Sequence, residues 1–145
     1  MDYEIKSVSD LTVGDRAQYS RTITDAELAM FAGVIGERSP LHHDHLFCQQ
    51  TRFGRPTVYG LLIAGYISTA VGKLGGPTGL YVKQELNFRR PVFVGDTIFA
   101  TVTITSMDAT TGYIDFQASV ENQEGVVVVH GPGRLLLLAE VRTDQ

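Results

Sequence analysis

Residues 58–72 read VYGLLIAGYISTAVG, and this uncharged stretch is the part of the sequence around which the fold is organised. Apolar residues recur on nearly every side at helical spacing, which is typical of a helix covered on most of its circumference. Its many small residues permit close approach to a sheet. The stretch contains three glycines, and it is shorter than the roughly 20 apolar residues of a membrane span. We therefore predict a buried core helix and no membrane segment.

The sequence downstream of this helix changes to a repeat of two. Apolar and polar residues alternate through 97–105 and 113–121, which predicts two half-buried strands. Turn residues separate these strands, and further strand material is supplied by residues 80–88, 126–129 and 135–138. Upstream, a capping box at 24–27 begins a short helix that Gly36 can end, and the first half is otherwise irregular. The predicted fold class is α+β, one domain over residues 1–145 with an antiparallel sheet around one long helix.

Composition and charge exclude several classes of function. The 145 residues are 43% hydrophobic and 19% charged, as in an ordinary packed globular domain. The formal net charge is −4 and no run of lysine and arginine occurs, so we expect no nucleic-acid partner. The one cysteine, Cys48, cannot close an intramolecular disulfide, and residues 1–4 lack the order of a signal peptide. These observations predict a cytoplasmic protein.

The predicted architecture also bears on assembly. A sheet with an open edge and a helix that is apolar on two sides would leave apolar surface uncovered in a single copy. We therefore expect a homodimer or a higher homo-oligomer. The alternative cover for the sheet edge is the N-terminal segment of the same chain.

A polar turn upstream of the long helix collects residues that can move protons. Glu37 and His42 lie five residues apart across a proline-stiffened turn, so they could converge on one small molecule and move a proton to or from water. The helix that begins near Gly60 offers free N–H groups and a positive dipole end to a carbonyl oxygen gaining negative charge. Taken singly, each residue has an ordinary interpretation, such as a solvated carboxylate, a surface imidazole or, for Asp44, a helix cap. Together they indicate acid–base chemistry beside an activated carbonyl, without identifying the substrate.

Three neighbouring histidines make a metal site the obvious alternative. No His-x3-His or Cys-x2-Cys spacing occurs, and the adjacent His42 and His43 cannot easily share one face. Cys48 is a lone thiol with no base placed beside it by the sequence. We predict no metal site and interpret Cys48 as a packing residue.

Three segments together resemble the MaoC-like (R)-specific enoyl-CoA hydratases: residues 37–44 (ERSPLHHD), 53–62 (FGRPTVYGLL) and 86–97 (LNFRRPVFVGDT). The resemblance runs from Val13 to Leu138 and implies the hotdog fold, a sheet wrapped around a long helix and normally dimeric. It implies reversible syn addition of water to a trans-2-enoyl thioester, which gives the (R)-3-hydroxyacyl product. No metal or redox cofactor is implied, because coenzyme A or an acyl-carrier thioester is part of the substrate.

The resemblance also implies roles for individual residues. The family's catalytic aspartate and histidine align with Glu37 and His42, which would hold one water and add its hydroxyl at C3 and its proton at C2. The glycine that opens the family's helix aligns with Gly60, whose N–H would polarise the thioester carbonyl. A serine that supports the family's carboxylate aligns with Ser68, and we expect further support from Ser39, Asp44 and Tyr59.

This chain departs from the family pattern inside the site. The motif Asp-x-Asn-Pro-Leu-His becomes ERSPLHHD over residues 37–44, and the usual His-Gly at the helix entrance becomes Tyr59-Gly60. A glutamate keeps the charge but reaches one methylene farther, and misplacing a catalytic group by about 1 Å can cost on the order of 100-fold. The shorter Ser39 could withdraw the loop enough to accommodate Glu37, so we predict a working enzyme with an altered substrate shape. Tyr59 would line the pocket, donate a hydrogen bond through its hydroxyl, or simply pack at the helix entrance.

Residues outside this motif are candidates for holding the substrate. The cations that could meet coenzyme A phosphates, across a dimer interface, are Arg55, Lys73, Lys83, Arg89 and Arg90. The same cations would face an acidic acyl carrier protein if the acyl group were carried that way. Ile63, Tyr66 and Ile67 could line an acyl tunnel, although core packing explains them equally well.

Two other functions stay open from the sequence. A hotdog thioesterase would use a carboxylate to activate water against the thioester carbonyl instead of C3. A non-catalytic acyl-thioester binding protein would keep the fold without turnover. The Pro-Leu-His context of His42 favours the hydratase.

Overall fold

The structure is a computed structural model that describes residues 5–138. The long helix α4 (Gly60–Gly75) packs against a six-stranded antiparallel sheet. The elements before it are β1 (Arg16–Thr22), α1 (Asp25–Ile35), α2 (Pro40–His43) and α3 (His45–Gln49). The elements after it are β2 (Gly79–Gln84), β3 (Asn87–Phe88), β4 (Thr97–Met107), β5 (Tyr113–Glu121) and β6 (Val127–Leu137). Residues 1–4, on which the expectation about a signal peptide rests, lie outside the described range.

The sheet has the strand order β1-β4-β5-β6-β2, and β3 also pairs with β6. Along β4 as far as Ile104, and along the whole of β5, every second side chain is buried, because successive side chains of a strand point to opposite faces. The buried face packs with α4 around one apolar core. The predicted α+β fold, with an antiparallel sheet around one long helix, is thereby confirmed.

Helix α4 is buried on one side only within the single chain. The side chains that meet the sheet are Ile63, Ile67, Ala70, Val71 and Leu74. The opposite side, which includes Leu61 and Ser68, is exposed, so the helix is less covered than its sequence predicts. The difference arises because the helix is apolar on two faces. One face packs against the sheet, and nothing in the described part of this chain covers the other. No helix within residues 5–138 is long and apolar enough to cross a membrane.

Two strands differ from the prediction. Residues 126–138 were expected to hold two short apolar segments, but β6 runs unbroken through Gly131-Pro132-Gly133. Glycine is needed at 133 because a Cβ there would collide with the ring of Phe116. The strand β1 was not predicted, because only alternate positions are partly buried and the rest are exposed, as in a polar edge strand.

The C-terminal end of helix α1 determines where the polar turn with Glu37 begins. Thr24 and Glu27 form the predicted capping box, with the Thr24 N–H donating to the Glu27 carboxylate over 2.7 Å. Burial opposes the charge on Glu27, but hydrogen bonds from Thr24, Arg21 and Tyr66 outweigh it and lower the pKa of this carboxyl. Gly36 ends the helix in the left-handed conformation, with φ 75°, as predicted. Glu37 therefore follows immediately from a firmly held helix end.

Candidate active site

The turn between α1 and α2 folds the side chain of Glu37 back onto its own backbone. Glu37 Oε1 accepts a hydrogen bond from the Ser39 N–H over 2.5 Å. Ser39 is the N-cap of α2, and its hydroxyl accepts from the Leu41 N–H over 3.3 Å. One carboxylate oxygen is thus engaged in the turn, and Oε2 is left for other contacts.

His42 lies on α2 with its two ring nitrogens in different environments. The Nδ1 atom is 2.6 Å from the carbonyl oxygen of Thr57, which can only accept, so Nδ1 carries a hydrogen and donates it. In the neutral ring Nε2 then has a free lone pair. This atom lies 3.8 Å from Glu37 Oε2, and the two side chains are 15% and 44% exposed. The pair therefore presents two proton acceptors, side by side, to the outside of the chain.

Tyr59, the N-cap of α4, packs behind this pair. The residue is only 4% exposed, and its ring stacks on the imidazole of His42 with centroids 3.8 Å apart. Its hydroxyl donates to the backbone carbonyl of Glu37 over 2.8 Å, and His43 Nε2 is 2.7 Å from the same hydroxyl oxygen. Burial raises the pKa of the Tyr59 phenol, and the nearby Glu37 charge raises it further. Tyr59 therefore does more than pack at the helix entrance.

The N-terminus of α4 opens into a cleft of about 290 Å³. Gly60 is the first residue of the helix, and first-turn N–H groups have no partner inside a helix. A Cβ at Gly60 would lie 2.7 Å from the Phe88 ring, so only glycine leaves this ring its place over the helix end. Ile63 lines the cleft, as do three arginines, which are Arg52, Arg89 and Arg90.

The predicted phosphate-binding cations separate into two groups. Arg89 and Arg90 line the cleft and also a neighbouring basin of about 520 Å³ on the outer face of the sheet, together with His130. Arg55 instead lies over the Phe93 ring at 4.0 Å, and Lys73 donates to the backbone carbonyl of Gln18. Lys83 lines another cavity beside Asp115 and Arg134. Arg52 was not predicted, because nothing in its local sequence indicates that the loop after α3 returns to the helix entrance.

The remaining candidates have structural contacts or lie apart from the dyad of Glu37 and His42. Asp44 caps α3 by accepting from the Phe47 N–H over 2.9 Å. Ser68 lies on the exposed side of α4, about 12 Å along the helix from Gly60 at the normal rise per residue. Tyr66 donates to Glu27, and Ile67 is fully buried in the core. The roles predicted for these residues stay predictions.

Metal ligands do not gather around the histidines in the described range. Within residues 5–138, no group of three or more His, Cys, Asp or Glu side chains has the placement of a metal site. His43 is engaged with Tyr59, and the Cys48 thiol is buried against the carbonyls of Pro40 and Leu41. Burial raises the pKa of Cys48, which suits a packing residue better than a nucleophile.

Comparison with known proteins identifies the family of this chain. Residues 12–126 match the model of the MaoC-like domain. The chain is 34% identical to an (R)-specific enoyl-CoA hydratase of Rhodospirillum rubrum over 131 residues, 90% of each chain. It is 36% identical to an (R)-specific enoyl-CoA hydratase of Aeromonas caviae over 126 residues, 86% of this chain and 94% of the relative. A solved (R)-hydratase from A. caviae superposes with a TM-score of 0.87 at 34% identity, covering 90% of this chain and all of the other. This chain belongs to the MaoC-like domain family.

Proposed function

We propose that this protein is an enoyl-thioester hydratase, which adds water reversibly and syn across a trans-2-enoyl thioester to give the (R)-3-hydroxyacyl thioester. The observation that carries the proposal is the pairing of Glu37 Oε2 with His42 Nε2 at 3.8 Å. The printed names of the relatives, which are hydratases and a 3-hydroxybutyryl-CoA dehydratase, support the same chemistry in its two directions.

One water fits between the two acceptor atoms. An oxygen at about 2.8 Å from each can donate one hydrogen to Glu37 and the other to His42. His42 Nε2 removes a proton as the water oxygen bonds to C3, and the electrons of the C2–C3 double bond move onto the thioester carbonyl. The imidazolium then returns that proton to C2 as the carbonyl re-forms. Because one group serves both steps from one face, the addition is syn; the reverse sequence eliminates water.

The carbonyl that receives this charge would have a donor at the first turn of α4, where Gly60 lines the cleft. The Gly60 N–H and the positive end of the α4 dipole would stabilise a developing enolate oxygen. The ring of Phe88 lies against this end of the helix. The reaction requires no metal and no redox cofactor, because the protein groups supply both proton transfer and charge stabilisation.

The group that carries the acyl chain, either coenzyme A or an acyl carrier protein, would contact the arginines of the cleft. Arg52, Arg89 and Arg90 bring three positive charges to a cleft that begins at Gly60. Phosphates of coenzyme A are suitable anions for guanidinium groups. An acyl carrier protein with an acidic surface would meet the same charges, and it is the alternative carrier.

We also propose that the working unit is a homodimer in the cytoplasm. Strand β2 lies at an end of the sheet, and Leu80 and Val82 on it are 53% and 47% exposed. The uncovered side of α4, with Leu61 and Ser68, adds to this surface. A second copy would cover both, since exposed strand edges and apolar patches of this kind favour association.

The competing functions make different demands on the dyad. A thioesterase needs water directed at the carbonyl carbon and releases free thiol. A binding protein needs neither Glu37 nor His42. The orientation of His42 by the Thr57 carbonyl, which turns Nε2 toward the Glu37 carboxylate, favours the hydratase because hydration requires a base that can also return the proton.

The test follows the conjugated enoyl absorbance and free thiol together when the protein is mixed with crotonyl-CoA. We expect the absorbance to fall without thiol release, and Glu37→Gln and His42→Asn to abolish the change. His45→Asn is the matched control, because His45 is exposed on the same segment and begins α3. Thiol release would identify a thioesterase. Inertness toward a panel of enoyl thioesters, with binding retained in both variants, would identify a binding protein.

A further inference from the structure

Tyr59 contacts three parts of the proposed site: the loop before α4, the start of α4 itself and the ring of His42. It ends the loop that carries Thr57, it caps the helix that begins at Gly60, and its ring is buried between Phe31 and His42. The ring centroids are 5.3 Å from Phe31 and 3.8 Å from His42. The plane of the His42 ring therefore rests on a side chain whose own position is determined by core packing.

The hydrogen bonds of the Tyr59 hydroxyl have an unambiguous direction. The Glu37 carbonyl can only accept, so the phenol uses its one hydrogen on that contact. The hydroxyl oxygen must then accept from His43, so His43 Nε2 carries a hydrogen. The three residues form a directed chain in which His43 donates to Tyr59 and Tyr59 donates to the backbone of Glu37.

This chain acts on both members of the dyad. Tyr59 holds the backbone of Glu37 by its hydroxyl and the ring of His42 by its face. Both contacts position Glu37 and His42, whose Oε2 and Nε2 atoms are 3.8 Å apart, relative to the first turn of α4. The N–H groups proposed to bind the substrate carbonyl lie in that turn. The one phenol hydrogen is already donated to a carbonyl, so Tyr59 is not the group that delivers a proton to substrate.

We infer that Tyr59 is the positioning residue of this active site and that His43 acts through it, by donating to the Tyr59 hydroxyl. The inference rests on the proposed hydratase function. It assigns a task to the tyrosine that replaces the histidine usual at this point of the family, and to a second histidine that does not touch the reacting atoms.

The test is the steady-state kinetics of crotonyl-CoA hydration by Tyr59→Phe. This variant keeps the stacking ring and loses the hydroxyl. We expect kcat to fall on the order of 10-fold, because a misplaced catalytic group reacts slowly, while KM stays within about twofold. Tyr81→Phe is the matched control, since it removes another partly buried phenol, which lies on β2 and donates to Gln84 of the same strand. A kcat for Tyr59→Phe equal to that of Tyr81→Phe would overturn the inference.

His43 variants separate positioning from general loss of stability. His43→Leu removes the donor and should lower kcat, whereas His43→Gln keeps an N–H donor and should restore most of the activity. The double variant Tyr59→Phe with His43→Leu should be no slower than Tyr59→Phe alone, because both changes break one chain. Additive losses would contradict the directed chain, and thermal unfolding of each variant shows whether it is folded.

An imidazole NMR measurement keeps the inference testable even if no thioester is turned over. We expect the wild-type His43 ring to carry its hydrogen on Nε2 and to change its signals in Tyr59→Phe but not in Tyr81→Phe. A His43 ring with its hydrogen on Nδ1 alone, or one that is insensitive to Tyr59→Phe, would overturn the positioning chain. If the wild type is inactive but shows these NMR signals, the proposed hydratase function is contradicted and the positioning inference is not.

Discussion

Two regions meet at the N-terminus of α4. The side chains of one are fixed by hydrogen bonds within the chain, and those of the other are exposed. The catalytic turn, defined here as residues 36–44, is fixed by contacts inside the chain: Ser39 holds one Glu37 oxygen, and Thr57 orients His42. The arginine rim, defined as Arg52, Arg89 and Arg90, is exposed and takes part in neither of the two ion pairs that arginines form within the described residues. A small reacting group needs fixed partners, and a flexible anionic carrier needs adaptable ones. The comparison suggests that chemistry and carrier recognition can be changed separately.

The largest effect should come from the catalytic turn. Glu37→Gln keeps the size of the side chain and an oxygen for the Ser39 N–H, but removes the negative charge. Because the lost charge would otherwise orient the water and balance the imidazolium that forms at His42, we expect kcat for crotonyl-CoA hydration to fall by about 10²- to 10⁴-fold with KM nearly unchanged. A kcat within about threefold of wild type would remove Glu37 from the chemistry.

A smaller loss should follow from loosening the helix that leads into the turn. Glu27 is 7% exposed and accepts hydrogen bonds from Thr24, Arg21 and Tyr66. Glu27→Gln should therefore lower the free energy of unfolding by about 1–3 kcal/mol, measured by urea denaturation. An unchanged denaturation midpoint would show that this network does not stabilise α1.

The same carboxyl predicts a pH dependence. Its pKa in the folded protein lies below the ordinary value of 4.5, so its contribution is fully present above that pH. The contribution should disappear as the pH falls through the lowered folded pKa. Wild type should lose its stability advantage over Glu27→Gln in that acidic window, and a constant difference down to low pH would contradict the assignment.

The arginine rim should affect substrate binding alone. In Arg89→Gln with Arg90→Gln we expect KM for crotonyl-CoA to rise by about tenfold, with kcat unchanged, and the difference to shrink at high salt. The matched substrate is crotonyl-N-acetylcysteamine, which has no phosphates and should not distinguish the variant from wild type. An equal loss on both substrates would show that the rim shapes the catalytic turn after all.

The smallest effect should come from a surface ion pair remote from both regions. Arg134 Nε is 2.6 Å from Asp115 Oδ1, but the two side chains are 45% and 37% exposed. Arg134→Gln should cost no more than about 1 kcal/mol of unfolding free energy, because solvent screens such pairs. A larger loss would mean that the pair couples β5 to β6 more strongly than its exposure suggests.

Local patterns explain which parts of the fold can be predicted. The strand β5, and β4 as far as Ile104, alternate because one face is buried, and the ends of α1 are marked by Thr24 and Gly36. The strand β1 escaped prediction because it lies at the sheet edge and buries no residue fully, so its sequence has no strong repeat.

The sequence predicts only those parts of the site whose residues lie close together along the chain. Glu37 and His42 are five residues apart, and their convergence follows from the turn between them. The hydroxyl of Tyr59 reaches a carbonyl 22 residues earlier, and Arg52 joins Arg89 across the cleft. Such contacts depend on how α4 and the loops pack in three dimensions, for which the sequence near each residue carries no signal.

The most direct measurement is the stereochemistry of crotonyl-CoA hydration by the wild-type protein in D₂O. One water held between Glu37 and His42 should give (R)-3-hydroxybutyryl-CoA with deuterium added at C2 on the same face as the oxygen at C3. The thioester should remain intact. Anti addition, an (S) product or release of free thiol would contradict hydration by this dyad.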